Sequence, residues 1–469
     1  MTPTRRHFLQ RAAIGASGLA ALGAWGCASS GEYGRAEASL LTRRPSGSRL
    51  QILQVGVGGT IAPEDRKQLL AHKDVVLTGI CDVDSEALAR VGAEHPEAFR
   101  CRDWREAFAA HANRFDAVVV CVPDHNHATI MLHALALGKH VYGQKPLVQQ
   151  LCEVPMMDNA MRACPDLVTQ VGNQRMGPVG RQHAVDILRR GLLGRAIEAH
   201  VWIGGPPDQG DGYFYYGGLK EPSAPPQNLD WQLWLGCAED APFREGLGPV
   251  RWRSSWDYGT GQLGDWCTHL LDVLVYAYDL GSPFAVQAHT RHASDFYHAQ
   301  HVQTVLSYQG GGRRFANPVF PVHYNDKSQA PSRAALGLPP GNFDGIGTLV
   351  VCEDGVLCVS PEGNIQVWRG GQAVDWKTIA GQGEVTARNH WHAWVDKILG
   401  RPSFVQSPFD KAARMAEGGL LAAKAARFPG TELRWDLATL RFTNHDEASR
   451  TIVRRAYRSG FEPPKNFLA

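Results

Sequence analysis

No Cys-x-x-Cys pair occurs anywhere in this chain, although it holds 10 cysteines. Zinc ribbons and thiol redox motifs need that spacing, so neither is a reading of this sequence. Cys81 and Cys121 lie in apolar, strand-like runs and read as small buried residues, and Cys267 reads as packing. Nor does either sign of charge dominate, since 48 Lys and Arg stand against 46 Asp and Glu for a net charge of +2. That balance removes the ground for expecting a nucleic-acid or membrane surface. No internal repeat is present, which excludes solenoids and propellers. What remains is an ordinary globular composition, 44% apolar and 20% charged over 469 residues. That length carries two or three domains with ample core.

The N-terminus reads as an address. Thr4-Arg5-Arg6-His7-Phe8-Leu9-Gln10 is followed by a small-residue apolar run, Ala12 to Gly26, then Cys27-Ala-Ser-Ser. The run is too short for a permanent bilayer span and its glycines make a poor helix. The pattern resembles a twin-arginine export signal, which implies a periplasmic or otherwise exported protein. Ala24-Trp25-Gly26-Cys27 also resembles a lipoprotein box. Cys27 is thus a candidate lipid anchor, with simple release as the equal alternative. Residues 1–48 are read as signal and tether.

From 49 to 170 strands and helices alternate in the βαβ manner of a parallel sheet. Leu50-Gln-Ile-Leu-Gln-Val-Gly-Val-Gly-Gly-Thr60 is a strand entering a glycine turn. Gly56 and Gly58 match the first two glycines of a dinucleotide fingerprint, and Gly59 adds to the turn. Such a turn lets the backbone approach a pyrophosphate at a helix N-terminus. The third glycine position is Ile61, a departure that crowds the helix–strand contact. The next strand ends at Asp82, where an acid accepts hydrogen bonds from the adenosine ribose and repels a 2′-phosphate. NAD is therefore favoured over NADP, with Asp84 as the competing acid. Pro123-Asp-His-Asn-His127 follows a strand end and reads as a cofactor loop opening a helix, with Pro123 and His127 toward the cofactor. His125 and His127 have no third ligand in suitable spacing, so no metal site is read.

The remainder, 171–469, begins with an amphipathic helix at about 177–190. A Gly- and Pro-rich loop follows at 204–228, then a tryptophan-rich stretch from 229 to 256. Aromatic rings there could face sugar C–H groups or simply staple a loop. From about 282 the pattern is short strands, including Gly347–Cys352 and Val356–Ser360, which implies a largely antiparallel sheet. Helices return at 389–427.

One pair carries chemistry. Asp265 and His269 stand four apart in Gly259-Thr-Gly-Gln-Leu-Gly-Asp-Trp-Cys-Thr-His269, on one face if that segment is helical. An imidazole oriented by a carboxylate moves protons. Lys145, in Gln144-Lys145-Pro146, could hold a hydroxyl oxygen beside it. Joined to a nucleotide-binding half, the set reads as oxidation of an alcohol on a sugar-like substrate.

Together these pieces resemble the glucose–fructose oxidoreductase, inositol dehydrogenase and rhizopine-catabolism family, Gfo/Idh/MocA, from about residue 50 to the C-terminus. The late stretch Leu433-Arg-Trp-Asp436…Phe442-Thr-Asn444 is similar to its long exported branch. The family's Glu-Lys-Pro appears as Gln144-Lys145-Pro146 and its Asp-x-x-x-His as Asp265 and His269. The resemblance implies a Rossmann domain, then an α/β domain whose large, mostly antiparallel open sheet carries the substrate or an oligomer contact, hence a homo-oligomer. It also implies a bound nicotinamide cofactor, NAD in preference to NADP, to which Lys145 lies close. Gln144 removes a negative charge beside Lys145.

The resulting expectation is an oxidoreductase acting on a sugar, sugar alcohol or glycoside. Lys145 steadies the hydroxyl, His269 takes its proton and Asp265 orients His269. Export of a folded nucleotide-binding protein further implies that the cofactor is retained and recycled. Two rivals stand beside this reading. One is redox-neutral glycoside cleavage by transient oxidation and elimination. The other is a non-catalytic exported sugar-binding protein, supported by Gln144 and Ile61.

Overall fold

A computed structural model describes residues 49–204, 220–245, 247, 251–290, 295–327, 330–381, 385 and 388–468. The signal and tether, with Arg5, Arg6 and Cys27, lie outside them, as does most of the 204–228 loop. Among the described residues no helix is long and apolar enough to cross a membrane.

The first sheet has six strands: β1 (Leu50–Val55), β2 (Val75–Cys81), β3 (Phe99–Cys101), β4 (Ala117–Val120), β5 (His140–Gly143) and β6 (Thr169–Val171). Their order is β3-β2-β1-β4-β5-β6, and every pairing is parallel. The order reverses beside β1, between β2 and β4, and such a switch point opens a crevice at the strands' carboxyl ends. Helices α1 (Ala62–Leu70), α2 (Ser85–Glu94), α3 (Trp104–His111), α4 (His127–Ala136) and α5 (Glu153–Ala163) connect the strands. Asp84 and Asp103 cap α2 and α3 by accepting backbone N–H bonds. Each satisfies donors that a helix start leaves unpaired. The fully apolar run Ala117-Val-Val-Val120 is buried throughout, as a central parallel strand requires.

The second sheet has ten strands in the order β14-β13-β12-β11-β7-β10-β9-β8-β15-β16. They are β7 (Ala196–Trp202), β8 (Ala285–His289), β9 (Gln303–Gln309), β10 (Val319–Asn325), β11 (Gly347–Cys352), β12 (Gly355–Val359), β13 (Ile365–Arg369), β14 (Gln372–Val374), β15 (Glu432–Asp436) and β16 (Arg441–Phe442). All neighbours run antiparallel except β7 and β10, which are parallel. Period-two burial gives the sheet two unlike faces. On β10, Phe320, Val322 and Tyr324 are buried while Pro321, His323 and Asn325 are only partly so. The buried side packs under α6 (Val179–Arg189), α7 (Gly261–Leu270), α8 (Asp272–Tyr278) and, after α9 (His390–Ile398), α10 (Phe409–Ala425).

Late segments of the chain pack against the first sheet's domain. Trp394, Val395 and Ile398 of α9 join the apolar cluster of β1, β2 and α1. The C-terminal tail also returns to the first domain, where Arg105 donates to the Gly460 carbonyl and lies over the Phe461 ring. A sequence boundary marks where the chain leaves the first sheet. It does not show that late segments come back to cover that sheet's outer helices. All nine described cysteines are buried, and none of them forms a disulfide among the described residues.

Candidate active site

The glycine turn follows β1 directly. Gly56 has φ of +84°, and a Cβ there would lie 2.4 Å from the Cys121 carbonyl oxygen. A side chain on Gly58 would meet the Ala87 Cβ at 2.7 Å, whereas at Gly59 the nearest atom would be 3.6 Å away. The first two glycines are thus sterically required and the third is looser. Ile61 is the residue before α1 and lines the cleft. Close packing falls one residue later, on fully buried Ala62, which is how the chain tolerates isoleucine at the third fingerprint position.

Asp82 stands at the end of β2 and closes this turn. Its Oδ2 accepts from the Val57 and Gly58 N–H groups at 2.7 and 2.9 Å, and its Oδ1 from the Asp84 N–H at 2.9 Å. Burial raises its carboxyl above the ordinary value, and these N–H bonds oppose the rise. Asp84, the competing acid, is committed to capping α2 and to the Asn228 amide. A tight glycine cradle with an acid at the second strand's end fits a dinucleotide.

Pro123 and His127 also line the cleft. The His127 ring is tied down, with Nδ1 2.7 Å from the Pro146 carbonyl and Nε2 2.8 Å from that of Val122. Both nitrogens face carbonyls, and a neutral ring has one N–H to donate, so this histidine braces the loops through one of the two contacts. Burial drives its pKa down to about 4. His125 likewise faces a carbonyl, that of Trp234, at 3.1 Å.

Lys145, Asp265 and His269 line the same cleft as the glycine turn, with Asp265 and His269 both on α7. Their pairing differs from the sequence expectation. The Asp265 carboxylate does not orient His269. Its Oδ2 takes the Lys145 ammonium at 2.7 Å, and its Oδ1 lies 3.6 Å from Arg253 Nε. Helical i,i+4 spacing brings two side chains near each other but does not make them bond. A carboxylate flanked by two cations turns to them.

The imidazole is held instead by Asn173, whose Oδ1 lies 2.9 Å from His269 Nδ1. The Asn173 Nδ2 donates to the Thr268 carbonyl at 2.9 Å and to Asp272 Oδ2 at 3.1 Å. Those two acceptors fix which end of the amide is oxygen. His269 Nδ1 must therefore carry the hydrogen, and neutral Nε2 keeps its lone pair. Among the described residues nothing bonds Nε2. Behind Asn173 the Asp272 carboxylate pairs with Arg181, both fully buried. Burial, then the charges of Lys145, Arg175 and Arg181, hold the His269 pKa well below its ordinary 6.5. A neutral imidazole with a fixed tautomer and an unengaged nitrogen can accept a proton.

Asn173, Arg253 and Asp124 escaped the sequence reading. Asn173 had one signal, its place just past the carboxyl end of β6, where α/β sheets gather functional groups. Asp124 is buried and accepts from the Thr260 hydroxyl at 2.8 Å. Its carboxyl is raised by burial and next by Asp265.

Gln144 has a local reason. Its Nε2 donates to Asp65 Oδ2 at 2.6 Å, and Trp391 Nε1 donates to Oδ1 at 2.8 Å. Burial lifts the Asp65 carboxyl to about 6. A glutamate at 144 would set a second carboxylate against it. The amide supplies a donor where an acid would repel.

The cleft encloses about 820 Å³, in the range of small-molecule and cofactor sites. Trp234, Trp252 and Trp266 line it. Trp231 stacks on Trp234 with centroids 4.7 Å apart, and Trp256 packs on His298 at 3.8 Å. The tryptophan-rich stretch thus divides between loop staple and cleft wall.

Two family models match the chain, an oxidoreductase-family NAD-binding Rossmann fold over residues 50–170 and its C-terminal alpha/beta domain over 183–314. Together they span more than half of it. No curated protein sequence matches. Among solved structures, the WlbA dehydrogenase of Chromobacterium violaceum, in complex with NADH and UDP-GlcNAcA, is 16% identical with a TM-score of 0.57, covering 84% of this chain and 97% of that one. The aldose–aldose oxidoreductase of Caulobacter crescentus, complexed with glycerol, is 14% identical with a TM-score of 0.54, covering 82% and 100%. GenD2 from gentamicin A biosynthesis, in complex with NAD, is 20% identical with a TM-score of 0.51, covering 84% and 99%.

Proposed function

The chain belongs to the Gfo/Idh/MocA oxidoreductase family and is an NAD-dependent oxidoreductase, and from that premise we propose that it oxidises a CH–OH group of a sugar, sugar alcohol or glycoside. The observation that carries this reading is the His269 tautomer. Its Nε2 lone pair belongs to the cleft that also holds Lys145 and the glycine turn. In the proposed roles, His269 Nε2 takes the hydroxyl proton. The Lys145 ammonium donates to the substrate oxygen as negative charge develops there. Asp265, flanked by Arg253, positions Lys145, and Asn173 positions His269. Gly56, Gly58, Gly59 and Asp82 hold the dinucleotide, which when bound supplies the hydride acceptor. The tryptophans of the wall offer faces to sugar C–H groups. The ligands named with the WlbA and aldose–aldose structures support the carbohydrate class.

The test is a panel of free sugars, sugar alcohols and glycosides. Cofactor reduction is followed by absorbance and products by mass spectrometry. Oxidised product that disappears in both Lys145→Ala and His269→Ala is expected. Cleaved glycoside with no net oxidation would replace this reading with the redox-neutral one. No turnover on any member would overturn both.

We further propose export through the twin-arginine route, with or without a lipid on Cys27, and a cofactor that travels with the folded protein. Arg5-Arg6 and the apolar run after it support this proposal. Outside the cell free nucleotide is scarce, so an exchanging enzyme would stall. Cell fractionation and nucleotide analysis of protein purified without added NAD test it. Cytoplasmic protein, or NAD well below one per chain, would sink it.

A further inference from the structure

The partly exposed face of the second sheet holds a cluster outside the cleft and unused by the chemistry above. Glu198 and His200 lie two apart on β7 and so project from the same side. His323 on β10 is the residue registered directly against His200 across the parallel pair. The two imidazoles stack with centroids 4.7 Å apart and 12° between their planes. Both turn Nε2 toward one carboxylate, at 2.9 Å from His200 to Glu198 Oε1 and 3.8 Å from His323 to Oε2. One donor atom from each of the three residues falls within 4.8 Å of the others. None of the three lines the cleft.

We propose that Glu198, His200 and His323 bind a divalent transition-metal ion of the zinc class on this sheet face. Hydrogen bonding alone leaves the cluster incomplete, because 3.8 Å is too long for a bond from His323. A metal explains that spacing. Bonds of about 2.0–2.2 Å at tetrahedral angles set donor atoms roughly 3.3–3.5 Å apart. The observed separations, 2.9 Å from His200 to one carboxylate oxygen and 3.8 Å from His323 to the other, lie on either side of that value. Two imidazoles and one carboxylate are the donor set of an open zinc site, with the fourth position left for water. Imidazole also selects zinc, nickel or copper over magnesium and calcium, which prefer all-oxygen sites. Side-chain exposures of 14% for His200, 31% for Glu198 and 33% for His323 leave the ion an entry path.

The site ties β7 to β10, the parallel pair at the centre of an otherwise antiparallel sheet. On the other side of β7, Leu349 and Val351 of β11 face His200 and Glu198 and belong to an apolar cluster around Trp202 and Trp368. All three ligands stand on paired strands, which preorganises them and reduces the entropy lost on binding.

The experiment uses the full chain with its cofactor, stripped by chelator and titrated with Zn²⁺ by calorimetry, with Mg²⁺ as control. One zinc ion per chain and a raised melting temperature are expected, with Mg²⁺ silent. His200→Ala or His323→Ala should each weaken binding at least about 10-fold, by loss of one ligand, and the double variant should abolish it. NAD content and turnover should be unchanged in all of them. A second measurement does not depend on the variants folding. Co²⁺ bound to the unmodified chain should show tetrahedral d–d bands without thiolate charge transfer. Zinc uptake unaltered by the double variant, thiolate bands from the cysteines, or no uptake at micromolar zinc would each overturn the proposal.

Discussion

His269 Nδ1 lies 2.9 Å from Asn173 Oδ1, and the other end of that amide is held by the Thr268 carbonyl and by Asp272. The proton on the imidazole is thereby placed by a neutral amide, and the carboxylate four residues earlier is free to serve Lys145. The base and the cation each have their own support.

Asn173→Ala should lower kcat by roughly 10²-fold while leaving KM and NAD content nearly unchanged, because the ring loses its preferred tautomer and orientation. This sits at the low end of the about 10²–10⁴-fold cost of losing a positioned base. Steady-state kinetics in the His269→Ala background check the assignment. Once the base is gone, removing Asn173 should cost nothing more, and a further loss would mean Asn173 acts elsewhere.

The acid limb of kcat/KM should fall below pH 6.5. Burial, Lys145, Arg175 and Arg181 depress the His269 pKa, so the imidazole stays neutral and able to accept a proton as pH falls past its ordinary value. Arg175→Ala removes one nearby positive charge, stabilises the imidazolium and should move the limb upward. A limb that stays put or moves down in Arg175→Ala would detach it from His269.

Gln144→Glu should destabilise the fold by roughly 3 kcal/mol at pH 8, the scale of a buried charge without a partner. The new carboxylate would meet Asp65, whose own carboxyl is already lifted to about 6 by burial. In the native chain, Asp65 binds a proton in the folded state between about pH 6 and its ordinary 3.8. Over that window this group adds stability as pH falls. A second acid would extend the window upward, so the melting temperature of Gln144→Glu should recover toward pH 5. Adding Asp65→Asn should restore it at pH 8.

Asp82→Ala should weaken NAD binding by about 10–100-fold, the worth of hydrogen bonds to a charged group. Relative preference should shift toward NADP, since the anion that repels a 2′-phosphate is gone. The turn itself should loosen, because Val57 and Gly58 lose their shared acceptor. Titration with both nucleotides separates the effects. Equal losses for NAD and NADP would assign Asp82 to the turn alone.

By itself the sequence determined the local architecture. Valine-rich runs and capping aspartates specify strands and helix starts through interactions a few residues long. The Gly56–Gly58 spacing and Asp82 mark a nucleotide turn for the same reason. It also delivered Lys145, Asp265 and His269 as a group, because α7 carries two of them and the Gln144-Lys145-Pro146 motif supplies the third. Who bonds whom was decided only by tertiary structure. Asp265 turns to Lys145 and Arg253 because cations 120 and 12 positions away in the chain meet it in space. Asn173 reaches His269 across 96 residues, and Gln144 answers to Asp65 across 79. The Glu198–His200–His323 cluster depends on the register of β7 against β10, a parallel pairing of strands more than 100 residues apart. Spacing along a chain records periodicity within one element. Side-chain partners between elements follow from how the elements pack, and these distances leave no trace in local pattern.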